Sequence, residues 1–451
     1  MHRLCTTLGG TMTTHRSLMI LSALFLAACN GSDDTDTDMD TELDSDTDMG
    51  TEMAAMSITD VAASDDRFES LVAALQAAGL DDDLAAEGSF TVFAPTDDAF
   101  ADAGIDISAL STAELTDILT YHVIANAEVD SGSIPARAES LAGWTLFFDT
   151  SDGVMVNNAA VVQADVMADN GVIHAIDTVL MPPTILDAAG YAGLTELAAA
   201  VGAADPAVAA MLGSEGDFTV FAPDNAAFDA AASITASLDT AGLTDVLSYH
   251  VFDGRVTSDI VPEVAESSLT NDDGLPVVAL FDTSDGVMVN NALVAAADIQ
   301  TTNGVVHVVD TVLVPPTVVD LAVYGGLTEL VAAVGAADGE LGTTLSGAGP
   351  FTVFAPTDAA FDAAASVTAG LSTAQLRDVL LFHVVGGASA VTSAELSSGE
   401  VGSLLTGQTL TVDTSGSAPT VEGATVLKAD LHGTNGTVHI IDQVMVPTLA
   451  E

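Results

Sequence analysis

Basic side chains are almost missing from this sequence: 7 Lys and Arg stand against 65 Asp and Glu in 451 residues, a formal charge of −58. A phosphate-binding surface works by releasing counterions onto Lys and Arg, so nucleic acid binding is excluded, and so is electrostatic adsorption to anionic headgroups. Cysteine is nearly as scarce, with only Cys5 and Cys29. No disulfide framework can form, and stability must come from packing even in an oxidising compartment. Aromatics are 5% of residues, so the cores are expected to rely on small and β-branched side chains. No stretch approaches the roughly 18 clean apolar residues of a membrane span. Yet 49% of residues are apolar, which is too many for a disordered chain. The length suits about three domains of roughly 150 residues. The acid excess suits solubility in a salty medium, and a second reading is that it gathers divalent cations weakly.

The N-terminus has the pattern of an export signal. His15 and Arg16 precede an apolar run over residues 18–26, and the run ends in Leu26-Ala27-Ala28-Cys29. That ending is similar to the bacterial lipobox, in which a Cys receives the lipid. Residues 1–28 are then the signal peptide, begun at Met1, Met12 or Met19, and Cys29 is the lipidation site; the other reading is an ordinary signal with an incidental Cys. Residues 29–56 form an Asp/Thr-rich tether with ten acids between Asp33 and Glu52. Such a run repels itself and extends. Asp36, Asp38 and Asp40 alternate as in a calcium-binding EF-hand, but Thr41 and Thr47 stand where that loop needs Gly and Glu.

Self-similarity dominates the rest. Phe-Thr-Val-Phe-Ala-Pro occurs at Phe90–Pro95, Phe218–Pro223 and Phe351–Pro356. An aromatic-His-Val triplet follows each time, at Tyr121-His122-Val123, Tyr249-His250-Val251 and Phe382-His383-Val384. Each unit closes on a Gly…His…Asp run: Gly171, His174, Asp177; Gly304, His307, Asp310; Gly436, His439, Asp442. Repeats of this size are whole domains.

The first motif reads as a short strand ended by Pro95, with Thr96-Asp97 as the N-cap of a following helix. Leu115, Ile118, Leu119 and His122 share helical spacing, which puts the histidine on an apolar face. Leu146-Phe147-Phe148 and Val154-Met155-Val156 flank turn residues 149–153 and predict a hairpin. Residues 148–159 and 281–292 are identical, whereas the third copy has diverged, with Glu422-Gly423 in place of Asn-Asn. Units end at Pro182-Pro183 and Pro315-Pro316, so domains of 57–183, 184–316 and 317–449 follow with virtually no linker, as a rod of beads with stiff joints.

Six of the nine histidines recur at equivalent positions. A metal site or general base is one reading, but zinc needs three or four converging ligands, and only His174 with Asp177 offers a local pair. A buried imidazole bonded to backbone or carboxylate is the other, and the apolar helical face favours it. No Ser-His-Asp or Cys-His pattern, P-loop or dinucleotide fingerprint recurs in the sequence.

With these motifs in order three times, the chain resembles the fasciclin family: the first signature is similar to residues 91–100 and the second to residues 171–180, with an aromatic-His pair between. The resemblance covers residues 57 to 448. It implies an α+β fold of three tandem fasciclin-type domains, each a β-sandwich or wedge flanked by short helices. It also implies adhesion or matrix interaction outside the cytoplasm, with no catalytic residues and no cofactor. In animal members the aromatic-His region has been linked to integrin recognition. Carried over, that falls on Tyr121-His122 and Tyr249-His250, with Phe382 departing, but the helical phase makes the pair core. The expected protein is lipid-anchored at a membrane, cell surface or periplasm, and its partner is a cell-surface or matrix glycan or protein. A binding protein that captures a glycan, lipid or small ligand is the alternative.

Overall fold

The computed structural model describes residues 56–337 and 340–448. The signal segment, Cys29 and the acidic stretch through residue 55 lie outside the described residues.

Domain 1 opens with α1 (Ile58–Ala63), started by a Ser57/Asp60 capping box. Helix α2 (Glu69–Ala78) stops at Gly79 in the left-handed conformation, and α3 (Asp81–Ala85) follows. Strand β1 (Phe90–Pro95) leads to α4 (Asp97–Ala103), which Thr96 caps. Helix α5 (Thr112–Tyr121) starts at a second capping box, Ser111/Glu114, and ends on His122. Strands β2 (Val123–Ala125), β3 (Arg137–Glu139), β4 (Thr145–Asp149), β5 (Met155–Val156), β6 (Ala159–Ala168) and β7 (Gly171–Ile176) complete the unit.

The sheet runs β2-β1-β7-β6-β5-β4-β3. Its first and last long strands, β1 and β7, are parallel neighbours, with Phe90 opposite Gly171 and Pro95 opposite Ile176. The β4–β5 hairpin pairs Phe148 with Val156, where the alternating sequence predicts it. Strand β6 shifts register twice against β7, and Asp165 at φ 60° lies within the second shift. Bulges of this kind bend a strand. The sheet therefore folds over itself, and in domain 2 it closes into a barrel where Ser267 meets Phe252.

Two cores result in each domain. The period-2 alternation of β1 sends Val92 and Ala94 towards the helices, with Phe68, Leu71, Leu75, Phe100 and Leu119, and sends Phe93 into the folded sheet with Tyr121, Leu146, Val156 and Ile176. Pro95 does not end the pairing as expected. Phe93 N donates towards the β2 side, to the His122 carbonyl, and Pro95 shares that side beyond the end of β2. Its missing donor costs no ladder bond, and Thr96 N continues the β7 side onto the Ile176 carbonyl.

Domains 2 and 3 begin at once after the closing prolines, with helices Ile185–Tyr191 and Val318–Tyr324, each started by a Thr/Asp capping box. The bead image needs correcting, because the cores run across the joints. Phe147 of β4 lies in the helix-side core of domain 2, and Val278 and Leu280 lie in that of domain 3. Gln300 N donates to Thr145 Oγ1 at 2.9 Å across the first joint, and Asn271 Nδ2 to the Gly433 carbonyl at 3.0 Å across the second.

Candidate functional site: the repeated histidine pair

The aromatic-His triplet sits where helix α5 gives way to β2. His122 is the C-cap residue, 2% exposed, and its Nδ1 lies 2.7 Å from the Ile118 carbonyl one turn back. Its Nε2 accepts from Leu180 N at 2.9 Å. An acceptor role at Nε2 requires the proton on Nδ1, so one neutral tautomer satisfies both contacts. His250 repeats this with Val246 O and Leu313 N, and His383 with Val379 O and Met445 N. Burial pushes all three imidazoles down to about 4, and the helix carbonyl pulls only partly the other way.

The second histidine has the opposite tautomer. His174 accepts from Asp165 N at Nδ1 (3.3 Å) and donates from Nε2 to the Val129 carbonyl (2.8 Å). His307 and His439 do the same with Asp298 N and Val256 O, and with Asp430 N and Val391 O. Each ring lies against the second Phe of the first motif: Phe93, Phe221 or Phe354 at 5.1–5.5 Å. Burial lowers the His307 and His439 pKa values. All six rings thus have both nitrogens engaged with backbone, and none presents a free lone pair.

Asp177 does not converge with His174. Its carboxylate accepts from Ala160 N at 2.8 Å, and Asp310 and Asp442 hold Leu293 N and Thr425 N in the same way. Among the described residues no group of three or more His, Cys, Asp and Glu could hold a metal ion. Nor is any described helix long and apolar enough to cross a membrane.

A Ser, an Asp and a His do meet in every copy, although no sequence pattern announces it. Ser131 donates from N and Oγ to Asp165, whose own N–H reaches His174; Ser258 with Asp298 and Ser393 with Asp430 repeat the arrangement. The order of connection is wrong for nucleophile activation. The hydroxyl is given to the carboxylate and not to an imidazole, and the histidine touches only the backbone of the Asp. The network pins the bulge of β6.

Tyr121 is fully buried; its hydroxyl donates to the Thr145 carbonyl and accepts from Asn157 Nδ2. Tyr249 does likewise with Val278 O and Asn290. Neither member of the pair Tyr121-His122 lies on the surface. In the third copy Phe382 lacks the hydroxyl and Glu422 replaces the Asn, so two divergences that look unrelated in sequence belong to one hydrogen-bond group.

Sequence reasoning missed Asn170, Asn303 and Asn435. Asn170 Oδ1 accepts from Ile58 N at the start of α1, and Nδ2 donates to the Leu84 and Ala86 carbonyls, so one amide ties both ends of the helical layer to the β6–β7 turn. Asn303 and Asn435 repeat it. The available signal was the Asn-Gly pair before each closing strand.

Cavities beside the histidines are small. About 60 Å³ lies near His383 and about 40 Å³ at the matching place near His250, both with apolar walls. A dry cavity that takes benzene has roughly 150 Å³. In domain 1 an open hollow of about 560 Å³ lies between α2 and α4, but its Asp97 already accepts from Ser70 N and its Asp106 from Ser108. None of these has the enclosed, convergent polar groups of a ligand site.

The model of the Fasciclin domain matches residues 66–182, 192–315 and 325–447. Protein sll1483 of Synechocystis sp. is 51% identical over 140 residues, which are 29% of this chain and 76% of that one. The pig transforming growth factor-beta-induced protein ig-h3 is 29% identical over 409 residues, 87% of this chain and 58% of its own length, so the chain spans little more than half of that relative. The cell surface glycolipoprotein MPB83 of Mycobacterium bovis is 42% identical over 100 residues, 21% of this chain and 45% of that protein. A solved domain pair from the insect cell adhesion molecule Fasciclin I aligns with 56% of this chain and 97% of its own, at 19% identity and a TM-score of 0.37. With three family matches over most of its length, the chain belongs to the fasciclin-domain family and carries three such domains in tandem.

Proposed function

We propose that this chain is an exported protein, lipid-anchored through Cys29, that binds a cell-surface or matrix glycan or protein through its repeated domains and catalyses nothing. The observation that carries this reading is that every repeated polar side chain of the motifs is occupied in holding the fold, leaving the domain surfaces as the part that acts. We assign a structural role to His122, His174, His250, His307, His383 and His439 on the same ground. The likeness to a bacterial cell surface glycolipoprotein supports the location. Two or more acyl chains on Cys29, at roughly 0.8 kcal/mol per buried CH₂, would give lasting attachment. Replacing Cys29 by Ala should abolish lipid labelling and release protein or leave precursor; identical labelling of the variant would refute the anchor.

With a charge of −58, contact with another anionic surface needs screening or bridging cations. Cell attachment is therefore expected to strengthen with millimolar calcium or magnesium and to fall with chelator. Truncation from three domains to one should lower apparent affinity through lost avidity. Unchanged aggregation and attachment of a gene-deleted strain, across salt and calcium, would count against adhesion.

A further inference from the structure

The two joints use the same pair of faces. The tail face of a domain is one side of its hairpin strand: Thr145 and Phe147 in domain 1 (7% and 8% exposed), Val278 and Leu280 in domain 2 (2% and 8%). The head face is the first helix of the next domain, which ends on Tyr191 or Tyr324, both half-buried. Phe147 meets Tyr191 at 6.2 Å between ring centroids, and Leu280 packs in one core with Leu321 and Tyr324.

At the outer ends the same positions change character. The hairpin registers Phe148↔Val156, Phe281↔Val289 and Val412↔Val421 align Phe147 and Leu280 with Thr411, and Thr145 and Val278 with Thr409. Both threonines are exposed. Behind them, Asn157 and Asn290 accept the amide of Phe147 or Leu280, whereas the exposed Glu422 accepts that of Thr411. At the other end, helix α1 has Thr59 where the later domains have Leu186 and Val319, and an exposed Ser64 where they have Tyr191 and Tyr324. Two methionines are exceptions at this end: Met167, 65% exposed, at the position of Gln300, and Met56, 39% exposed, just before the Ser57 cap of α1.

We infer that the three domains form an array closed at both ends: matched apolar faces dock domain 1 to 2 and 2 to 3, and the head of domain 1 and tail of domain 3 have been made polar so that neither accepts another domain of this kind. The chemistry supports this beyond lost apolar area. At the joints the capping-box acids Asp187 and Asp320 stand on the head helices that pack against the tail faces. A domain docked on the tail of domain 3 would bring such an acid towards Glu422, and like charges brought together oppose docking. Two open, complementary faces on one molecule would instead propagate head to tail into filaments. Any adhesion then uses the flanks of the array and not end-to-end pairing of copies.

The test exchanges tail faces within the full-length protein. Tyr249→Phe, Val278→Thr, Leu280→Thr and Asn290→Glu together give domain 2 the tail of domain 3. Amide hydrogen exchange in helix Val318–Tyr324 should quicken at least tenfold, while strand Gly304–Val309 of domain 2 and the first joint keep their protection. Unchanged exchange in that helix would overturn the inference. If strand Gly304–Val309 also loses protection, the single change Leu280→Thr decides by the same two readouts. In sedimentation velocity the natural protein should stay monomeric at micromolar concentration. End-to-end association, weakened by Thr411→Glu and not by a flank substitution, would equally overturn it.

Discussion

Lowering the pH from 7.5 to 4.5 is expected to cost each domain about 2–3 kcal/mol of folding stability, the linkage of one histidine held near 4 when folded. His122, His250 and His383 have an ordinary value of 6.5 in the unfolded chain and about 4 in the folded one. Between those limits the unfolded chain binds one more proton than the folded one at each of these three positions. Stability from this source is complete above 6.5 and drains away as the pH falls through about 4. The direction follows from the two contacts: protonation at Nε2 would set an N–H against the N–H of Leu180, Leu313 or Met445, with no water to relieve it. Carboxylates add only the beginning of their own loss at the lower edge of this window, since that loss starts as the pH falls through their ordinary values of 3.8 for Asp and 4.5 for Glu. Asp60, Glu114 and Asp165 have values lowered below the usual range by hydrogen bonds to Ser57, Ser111 and Ser131, so they titrate further down.

Urea unfolding at constant ionic strength, at four pH values from 7.5 to 4.5, measures this directly. His250→Ala supplies the control. It should cost domain 2 about 1–3 kcal/mol at neutral pH, because Val246 O and Leu313 N lose their partner, and it should also reduce that domain's acid sensitivity in this window to the part that His307 contributes. A flat stability profile in the natural protein, or an equal slope in the variant, would show that the imidazole is not held neutral.

Much of this fold was legible because local and tertiary preferences agree. The Phe90–Pro95 motif alternates towards two different cores, the helix spacing through His122 continues into its cap, and the β4–β5 hairpin follows its apolar pattern. The histidine site was legible only as burial. Its partners are carbonyls and amides 4 to 63 residues away, and backbone leaves no trace in side-chain identity. The Ser131–Asp165 bond and the Asn170 tie stayed hidden because each joins polar residues far apart in the chain, which sequence treats as ordinary loop chemistry. The joints were misread for a further reason. Pro183 and Pro316 announce a stiff connection, but only the three-dimensional register reveals that Phe147, Leu280 and Thr411 occupy one position.

Replacing Gly171 by Ala should unfold domain 1 or cost it more than about 3 kcal/mol, a large part of the 5–15 kcal/mol typical of a domain. Gly171 opens β7 directly opposite Phe90 in the parallel pair that joins the first and last strands. A Cβ built there lies 2.0 Å from the Phe90 carbonyl oxygen and 2.9 Å from Ile58 Cδ1, and φ is +154°, a conformation side chains rarely adopt. The Ile58 methyl is the end of a side chain and can shift, but the carbonyl is main chain inside the sheet and cannot swing aside. Relief requires β1 and β7 to separate, which also breaks the bond from Phe90 N to the Asn170 carbonyl. Gly304 and Gly436 face the same obstruction, at 2.3 Å from Phe218 O and 2.1 Å from Phe351 O. The comparison is Gly153→Ala in the hairpin turn, where φ is +92° but nothing lies within 4 Å. That change carries backbone strain alone, about 1–2 kcal/mol. Thermal unfolding followed by calorimetry should then show one domain lost in Gly171→Ala and three retained in Gly153→Ala. Equal, small shifts in both would mean that β1 and β7 do not approach so closely, and that the closing glycine serves only a turn.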